Sequence, residues 1–523
     1  MKFFSFFLVL FLLISCKEKK TEETVPLPKI EITNQGKIIP LDSLVFAKIQ
    51  DSLISSFYVA NNLKTFWLNR PIKTDFINVL KNIEDDGLFQ KDFDLKQIQS
   101  LEKNLTNLSN HELVEYDFLL TENLKKYVEK ISKGTLHPKK LYSNWDLIKH
   151  KINTKELLLN FQKKDSFKFA IEQAGPNHLV YRKLKEGLKL INSFPKENYE
   201  FIPFTDKIIL NDTNNAIAPI KKKLIFWKDL SNVDSITNTY DSETELGVKK
   251  FQLRHGLAPD GVIGKGTLTA LNHSKERRKK QLISNMERWR WYPRTFENNY
   301  LIINIPDYTL HAIKNNDTIR THKVIVGKFA RQTPILSSKL SYIVFNPTWT
   351  IPPTILKNDV IPAAKRNVSY LSSKNISVYS QNKLVPLSQW NASKANSYSY
   401  VQSPGNQNAL GLVKFMFPNR FSVYLHDTNS RGYFDKEIRA LSSGCVRVQN
   451  PFELTEYLLD DADKWNLTKI NEVVSSGKTK NVQMMKNTYV HLLYWTAWSE
   501  KGTLQFRDDL YNLDMALYEK LIN

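Results

Sequence analysis

At 523 residues with 41% hydrophobic side chains, the chain is long enough to bury several cores; its length suggests about three domains, and its composition excludes a disordered polymer. Seventy-four Lys+Arg against 53 Asp+Glu leave a formal charge of +21, which suits an anionic partner. Nucleic acid is set aside. The excess is scattered Lys, and there is no zinc-spaced Cys/His cluster, phosphate-binding Gly loop or Arg-rich arm.

Residues 1–16 open with Lys2 and continue as an apolar run to Ile14. As a helix that run spans roughly 18 Å against a hydrocarbon core of ~30 Å, so it reads as a signal peptide rather than a membrane span. Its end, Leu13-Ile14-Ser15-Cys16, resembles the bacterial lipobox. The resemblance implies lipidation of Cys16 and an extracytoplasmic, membrane-anchored lipoprotein facing the periplasm, with residues 17–40 as a polar tether; an ordinary signal that happens to hold a Cys is the alternative. The chain has two cysteines. With Cys16 carrying lipid, Cys445 has no disulfide partner, and is either a small buried hydrophobe or a thiol kept for its chemistry.

Residues 41–230 are rich in Leu, Lys and Asn at helical spacing, as in Tyr116, Leu119, Leu120, Asn123 and Tyr127, and read as a helical scaffold without a chemical constellation. The texture changes over 233–272. Thr244, Val248 and Phe251 share a helical face, Asp241 is placed to cap its start, Gly256 suits its C′ position, and a second helix follows at 267–272. Residues 273–299 predict a basic connecting helix whose charge run, 276–280, is a solvated face.

From residue 300 the period becomes two, with strands expected at 300–305, 308–313, 318–326 and 340–345. A Ser/Asn-rich stretch at about 356–400 is longer than a normal connection and reads as a lid or as disorder. The β domain is expected to run over 300–470, and 471–523 to be a C-terminal segment packing on the scaffold.

The chemistry concentrates further on. Residues 421–426 alternate like a strand that ends at His426, and nineteen residues later comes Cys445 within Ser442-Ser443-Gly444-Cys445-Val446-Arg447. A helix is expected next, with Asn450 as N-cap, Pro451 at N1 and Glu453 closing a capping box, which puts Cys445 in a Gly turn before a helix. A nucleophilic thiol needs a base within hydrogen-bond reach, and His426 provides one. The N–H groups around Ser443, Gly444 and Cys445 suit an oxyanion. Tyr424 shares a strand face with His426. Arg447 suits bidentate capture of a substrate carboxylate, or else an internal salt bridge. Trp349 lines the cleft or fills the core.

His426-Asp427 followed by Ser442-Ser443-Gly444-Cys445-Val446-Arg447 resembles the catalytic motif of L,D-transpeptidases with a YkuD-type domain. Gly327, Gln332-Thr333-Pro334, Phe345-Asn346-Pro347-Thr348-Trp349, Ile351-Pro352-Pro353, Asn408 to Gly411, Lys414 to Asn419, Tyr494 to Trp498 and Phe506-Arg507-Asp508 are similar to the large YcbB-like branch. Phe251-Gln252, Gly256-Leu257, Asp260-Gly261, Ile263-Gly264, Thr267 and Leu271-Asn272 resemble a peptidoglycan-binding module. The resemblance implies a multidomain α+β chain: a helical scaffold, that module, and a mainly-β catalytic domain with an inserted lid. It further implies Cys445 as nucleophile and His426 as base, oriented by a backbone carbonyl near Asp427. Many relatives carry a second His where this chain has Ser443. The implied reaction joins diaminopimelate residues of stem peptides into 3→3 cross-links through a Cys445 thioester, with peptidoglycan stem peptides and glycan as partners, a lipid anchor to the membrane, and no metal or cofactor. Two alternatives stay open: a non-catalytic lipoprotein tethering membrane to wall, and the same acyl-enzyme attaching a protein or a D-amino acid.

Overall fold

The computed structural model describes residues 37–147, 152–163, 167–204, 206–232 and 235–523. Cys16, the signal segment and nearly all of the tether therefore lie outside the described residues. Among the described residues no helix is long and apolar enough to cross a membrane.

The chain is a multidomain α+β protein with two large cores. One belongs to residues 41–174 and is built around the helix Asn110–Lys133. A capping box between Ser109 and Glu112 starts that helix, and it buries Tyr116, Leu120, Asn123 and Tyr127. The helices Leu179–Asn192 and Ile217–Phe226 pack instead into the second core, with the module and the β domain. The expected single scaffold over 41–230 is thus divided between two cores. Helical periodicity marks the apolar face but not what it meets.

In the module, Asp241 accepts the Thr244 N–H at 2.8 Å and caps Ser242–Arg254. Gly256, at φ +69°, lets the Leu257 N–H reach back to the Gln252 carbonyl at 2.9 Å. Gln252 is buried and ties the following turn together. Its amide donates to Asp260, the Val262 carbonyl and Thr267, and its carbonyl accepts the Gly261 N–H. The motif residues here hold the module's own turns.

Helix Lys275–Trp291 keeps its charge run largely at the surface, with Lys279 and Lys280 half-buried, but buries most of the rest. Glu276 and Arg277 are exposed, but Arg278 and every residue from Gln281 to Arg290 are buried. Its charges are compensated internally: Arg288 pairs with Asp514 at 2.7 Å, Arg290 with Glu287 at 3.1 Å, and Arg278 donates to Gln281 and the Ala270 carbonyl. Because the partners come from residues as distant as Asp514, local sequence showed only a polar helix.

The main sheet has twelve strands, in the order Trp145–Asp146, Ile335–Lys339, Tyr489–Leu493, Asn299–Asn304, Thr309–Lys314, Asp317–Gly327, Val446–Val448, Leu425–His426, Val413–Met416, Tyr342–Phe345 and Lys480–Gln483, with Ala440–Ser442 beside Asp317–Gly327. The sheet thus extends past the expected boundary at 470: Tyr489–Leu493 lies between two strands, and Lys480–Gln483 pairs with Tyr342–Phe345. The C-terminal segment does also pack on helices, through Leu513–Ile522 against Lys275–Trp291 and the strand Ala497–Glu500 against Leu179–Asn192.

The stretch expected at 356–400 is ordered and slightly wider. Trp349–Thr350 pairs with Ser399–Gln402, which continues to Ile376–Ser380 and Lys383–Val385. A separate small core of Ile351, Val360, Leu371, Val378 and Tyr400 holds it. Disorder is excluded for this insertion because its apolar residues, sparse in sequence, converge on that core.

Candidate active site

Three short strands converge on Cys445. The register of Val413–Met416 with Leu425–His426 sets Lys414 opposite His426, and that of Leu425–His426 with Val446–Val448 sets His426 beside Arg447. The expected strand over 421–426 is only Leu425–His426, because Ser422 has φ +55° and breaks the extended run. Tyr424 still lies on the His426 side, with ring centroids 5.6 Å apart.

Cys445 follows Ala440–Ser442 and precedes the strand Val446–Val448, rather than a helix. Helix Pro451–Leu459 comes later, and its expected capping box is absent: Asn450 adopts φ +49°, not the extended geometry that lets a cap side chain reach the first turn. The loop is fixed from within and from outside. Ser442 Oγ donates to the Cys445 carbonyl at 2.6 Å and accepts the Gly444 N–H at 3.1 Å. Thr333, fully buried, donates to the Gly444 carbonyl at 2.9 Å while accepting the Gly327 N–H at 2.8 Å. Gly327 has no room for a side chain, since a Cβ would sit 2.2 Å from the Arg331 carbonyl oxygen. Gly444 needs its φ of +115°.

These bonds revise the expected oxyanion donors. The Gly444 N–H is engaged by Ser442, whereas among the described residues the N–H groups of Ser443 and Cys445 have no partner. The Ser443 hydroxyl accepts from Arg331 at 2.9 Å, and Arg331 also pairs with Asp359 of the insertion at 2.7 Å. Ser443 therefore links the Cys445 loop to the insertion.

The thiol is partly buried and no hydrogen bond joins it to His426 among the described residues. Its Sγ lies 4.0 Å from the Ser422 carbonyl oxygen. Burial pushes the Cys445 thiol pKa up, opposed by the Tyr424 N–H and hydroxyl and by the charges of Lys414 and Arg447. His426 Nδ1 donates to the Asp427 carbonyl, a tautomer inferred from that contact, and the Leu410 carbonyl also faces the ring. Burial and the Arg447 charge pull the imidazole down to about 3. The Asp427 carboxylate faces away, accepting the Leu412 N–H at 2.9 Å and pairing with Arg431 at 3.3 Å.

Residues 298–475 match the family model for the L,D-transpeptidase catalytic domain, YkuD. This chain carries an L,D-transpeptidase catalytic domain. Ahead of that L,D-transpeptidase domain, residues 52–188 match a scaffold domain, and residues 213–271 match the model described as "Putative peptidoglycan binding domain". The chain is 37% identical over 246 residues to a Haemophilus influenzae protein named "Putative L,D-transpeptidase", a match covering 46% of this chain. The match spans about half, 50%, of that relative's length. Solved L,D-transpeptidases from Xylanimonas cellulosilytica and Stackebrandtia nassauensis align at 16% and 14% identity with TM-scores of 0.17 and 0.21. They cover 56% and 58% of this chain and 99% of theirs.

Within the L,D-transpeptidase domain, the sequence-chosen residues Cys445, His426, Tyr424, Gly444, Ser443 and Arg447 lie on two adjoining segments. Trp349 joins them from the insertion: its indole faces the Tyr424 phenol, its Nε1 is buried without a partner, and its ring packs on the insertion's core. Arg447 makes no internal salt bridge among the described residues, and its Nε is also buried without a partner. Sequence reasoning did not select Lys414, Thr333 or Arg331 for the site. Each stood within or beside a family-like segment; strand register brings in Lys414, and long-range hydrogen bonds bring in Thr333 and Arg331. A cavity away from this site, about 630 Å³ and lined by His178, Arg294, Phe296, Tyr300 and Trp498, contains none of these residues.

Proposed function

We propose that the protein is a peptidoglycan L,D-transpeptidase acting through a Cys445 thioester. The observation that carries the reading is the Cys445 thiol on a braced loop inside the L,D-transpeptidase domain, with two N–H groups, of Ser443 and Cys445, unpartnered among the described residues. When a tetrapeptide stem is bound, Sγ attacks the carbonyl at the L-centre of diaminopimelate and His426 Nε2 takes the thiol proton. The tetrahedral oxyanion is met by the free N–H groups. Collapse breaks the C–N bond to the terminal D-Ala, whose amine receives the proton from His426. The side-chain amine of a second stem then forms a C–N bond as the C–S bond breaks, giving the 3→3 cross-link; water at this step gives a tripeptide.

The resting separation of Cys445 from His426 fits a base that engages only when substrate orders the site, since such contacts often tighten in the bound complex. The lipobox-like end at Cys16 and the module at 213–271 support an extracytoplasmic enzyme held on lipid and working on peptidoglycan. Incubating the chain with disaccharide tetrapeptides and separating the products tests the reading. Formation of 3→3 dimers with release of D-Ala supports it, and release of D-Ala only when a protein or free D-amino acid is the acceptor moves the function to the attachment alternative.

A further inference from the structure

Register partners on neighbouring strands present their side chains to the same face of a sheet. Lys414, His426 and Arg447 therefore form one row across three strands, with Cys445 two positions before Arg447. Lys414 Nζ lies 3.9 Å from the centroid of the Tyr424 ring, whose hydroxyl faces the thiol. Among the described residues, neither Lys414 nor Arg447 makes a side-chain hydrogen bond or ion pair, and the Arg447 Nε is fully buried. Elsewhere the protein gives its buried cations oxygen partners: Arg254 pairs with Asp229 at 2.5 Å, Arg288 with Asp514 and Arg290 with Glu287, while Arg278 and Lys223 donate to neutral oxygens. Asp427, next to His426 in the chain, gives its Oδ2 to the Leu412 N–H and Arg431, while its Oδ1 is buried without a partner and pairs with neither cation. Two desolvated cations without a counter-ion are costly to keep. An arriving anion would relieve that cost.

We propose that Lys414 and Arg447 together form a carboxylate receptor beside Cys445, and that Lys414 is a specificity-determining residue that selects a donor peptide by its free terminal carboxylate. The proposal rests on the transpeptidase reading, in which that carboxylate belongs to the departing residue, one residue beyond the carbonyl that Cys445 attacks. A carboxylate held between the two cations also offsets the positive field that opposes a proton on His426.

Iodoacetate and iodoacetamide share a leaving group and differ in charge, so their alkylation rates at Cys445, each relative to a free thiol, read the receptor directly. The wild-type chain is expected to favour iodoacetate by about tenfold, the effect of roughly one charge contact. K414M lowers that preference at least threefold, K414R retains it, and K414M with R447M removes it. Continued labelling by iodoacetamide shows that the loop is intact in each variant. An unchanged preference in K414M overturns the proposal. A second arm compares D-Ala release from a tetrapeptide acid with D-Ala-amide release from its amide. Loss of the wild-type preference for the acid in K414M, seen in KM, supports the receptor; if K414M discriminates as wild type does, the receptor is wrong and the transpeptidase reading stands. If the alkylation preference collapses as expected but wild type cleaves neither peptide, the reading fails and the receptor stands.

Discussion

Replacing Thr333 by Val keeps the volume of a fully buried side chain and removes one hydroxyl that serves two backbones. The Gly327 N–H loses its acceptor and the Gly444 carbonyl loses its donor. Each buried polar group left unpaired costs about 1–3 kcal/mol, so the two together cost about 2–4 kcal/mol once partial rearrangement is allowed. That is roughly a 30- to 700-fold shift in the local opening equilibrium. Hydrogen exchange of the Gly327 amide should report it, because that amide is one of the two groups exposed. The displaced Gly444 should also slow reaction of Cys445 with a bound tetrapeptide stem, read as D-Ala release, by on the order of 10²-fold, the effect of about 1 Å of misplacement. Thr333→Ser keeps the hydroxyl and should stay close to wild type in both assays. A Thr333→Val chain with unchanged exchange at Gly327 and unchanged Cys445 reactivity would refute the claim that Thr333 braces the nucleophile loop.

Arg331→Ala removes the link from Asp359 in the insertion to Ser443 in the loop; protease sensitivity of the 349–402 insertion should rise while the main sheet keeps its exchange protection. Asp514→Ala leaves Arg288 charged and buried without its partner, so unfolding should come about 3–5 kcal/mol sooner, measured by urea titration. The pH dependence follows from sign. His426 and His178 sit at about 3 and His273 at about 2 in the fold, below an unfolded value of about 6.5. The unfolded chain therefore binds more protons between those limits, and stability should fall steadily as pH drops from about 6.5 toward 3; a flat melting temperature over that window would contradict buried neutral imidazoles. Because burial raises the Cys445 pKa, alkylation of the free protein should still be climbing above pH 9, without an inflection near 6.5.

Much of the site was readable because it is contiguous. Cys445, Gly444, Ser443 and Arg447 stand in one run, and Tyr424 and His426 in another, so the two runs together resemble a family motif that implies a thiol with a base. The turn signals of the module were readable for the same reason: Asp241 and Gly256 act on residues three or four positions away. What stayed hidden depends on long-range pairing. Lys414 enters the site through strand register, and Arg331 and Thr333 reach the loop from more than a hundred residues away. The burial of helix Lys275–Trp291 beyond its charge run is not legible locally, because Asp514 and Tyr494, which complement Arg288, lie at the far end of the chain. The strand Tyr489–Leu493 was assigned to a packing segment because nothing local distinguishes a central strand from a satellite one.

The intact mass of the purified chain after exposure to a carbapenem tests the central claim most directly. A single covalent adduct, mapped to Cys445 and absent from Cys445→Ala, is the result this account requires. A chain that stays unmodified while free iodoacetamide still labels Cys445 would contradict it.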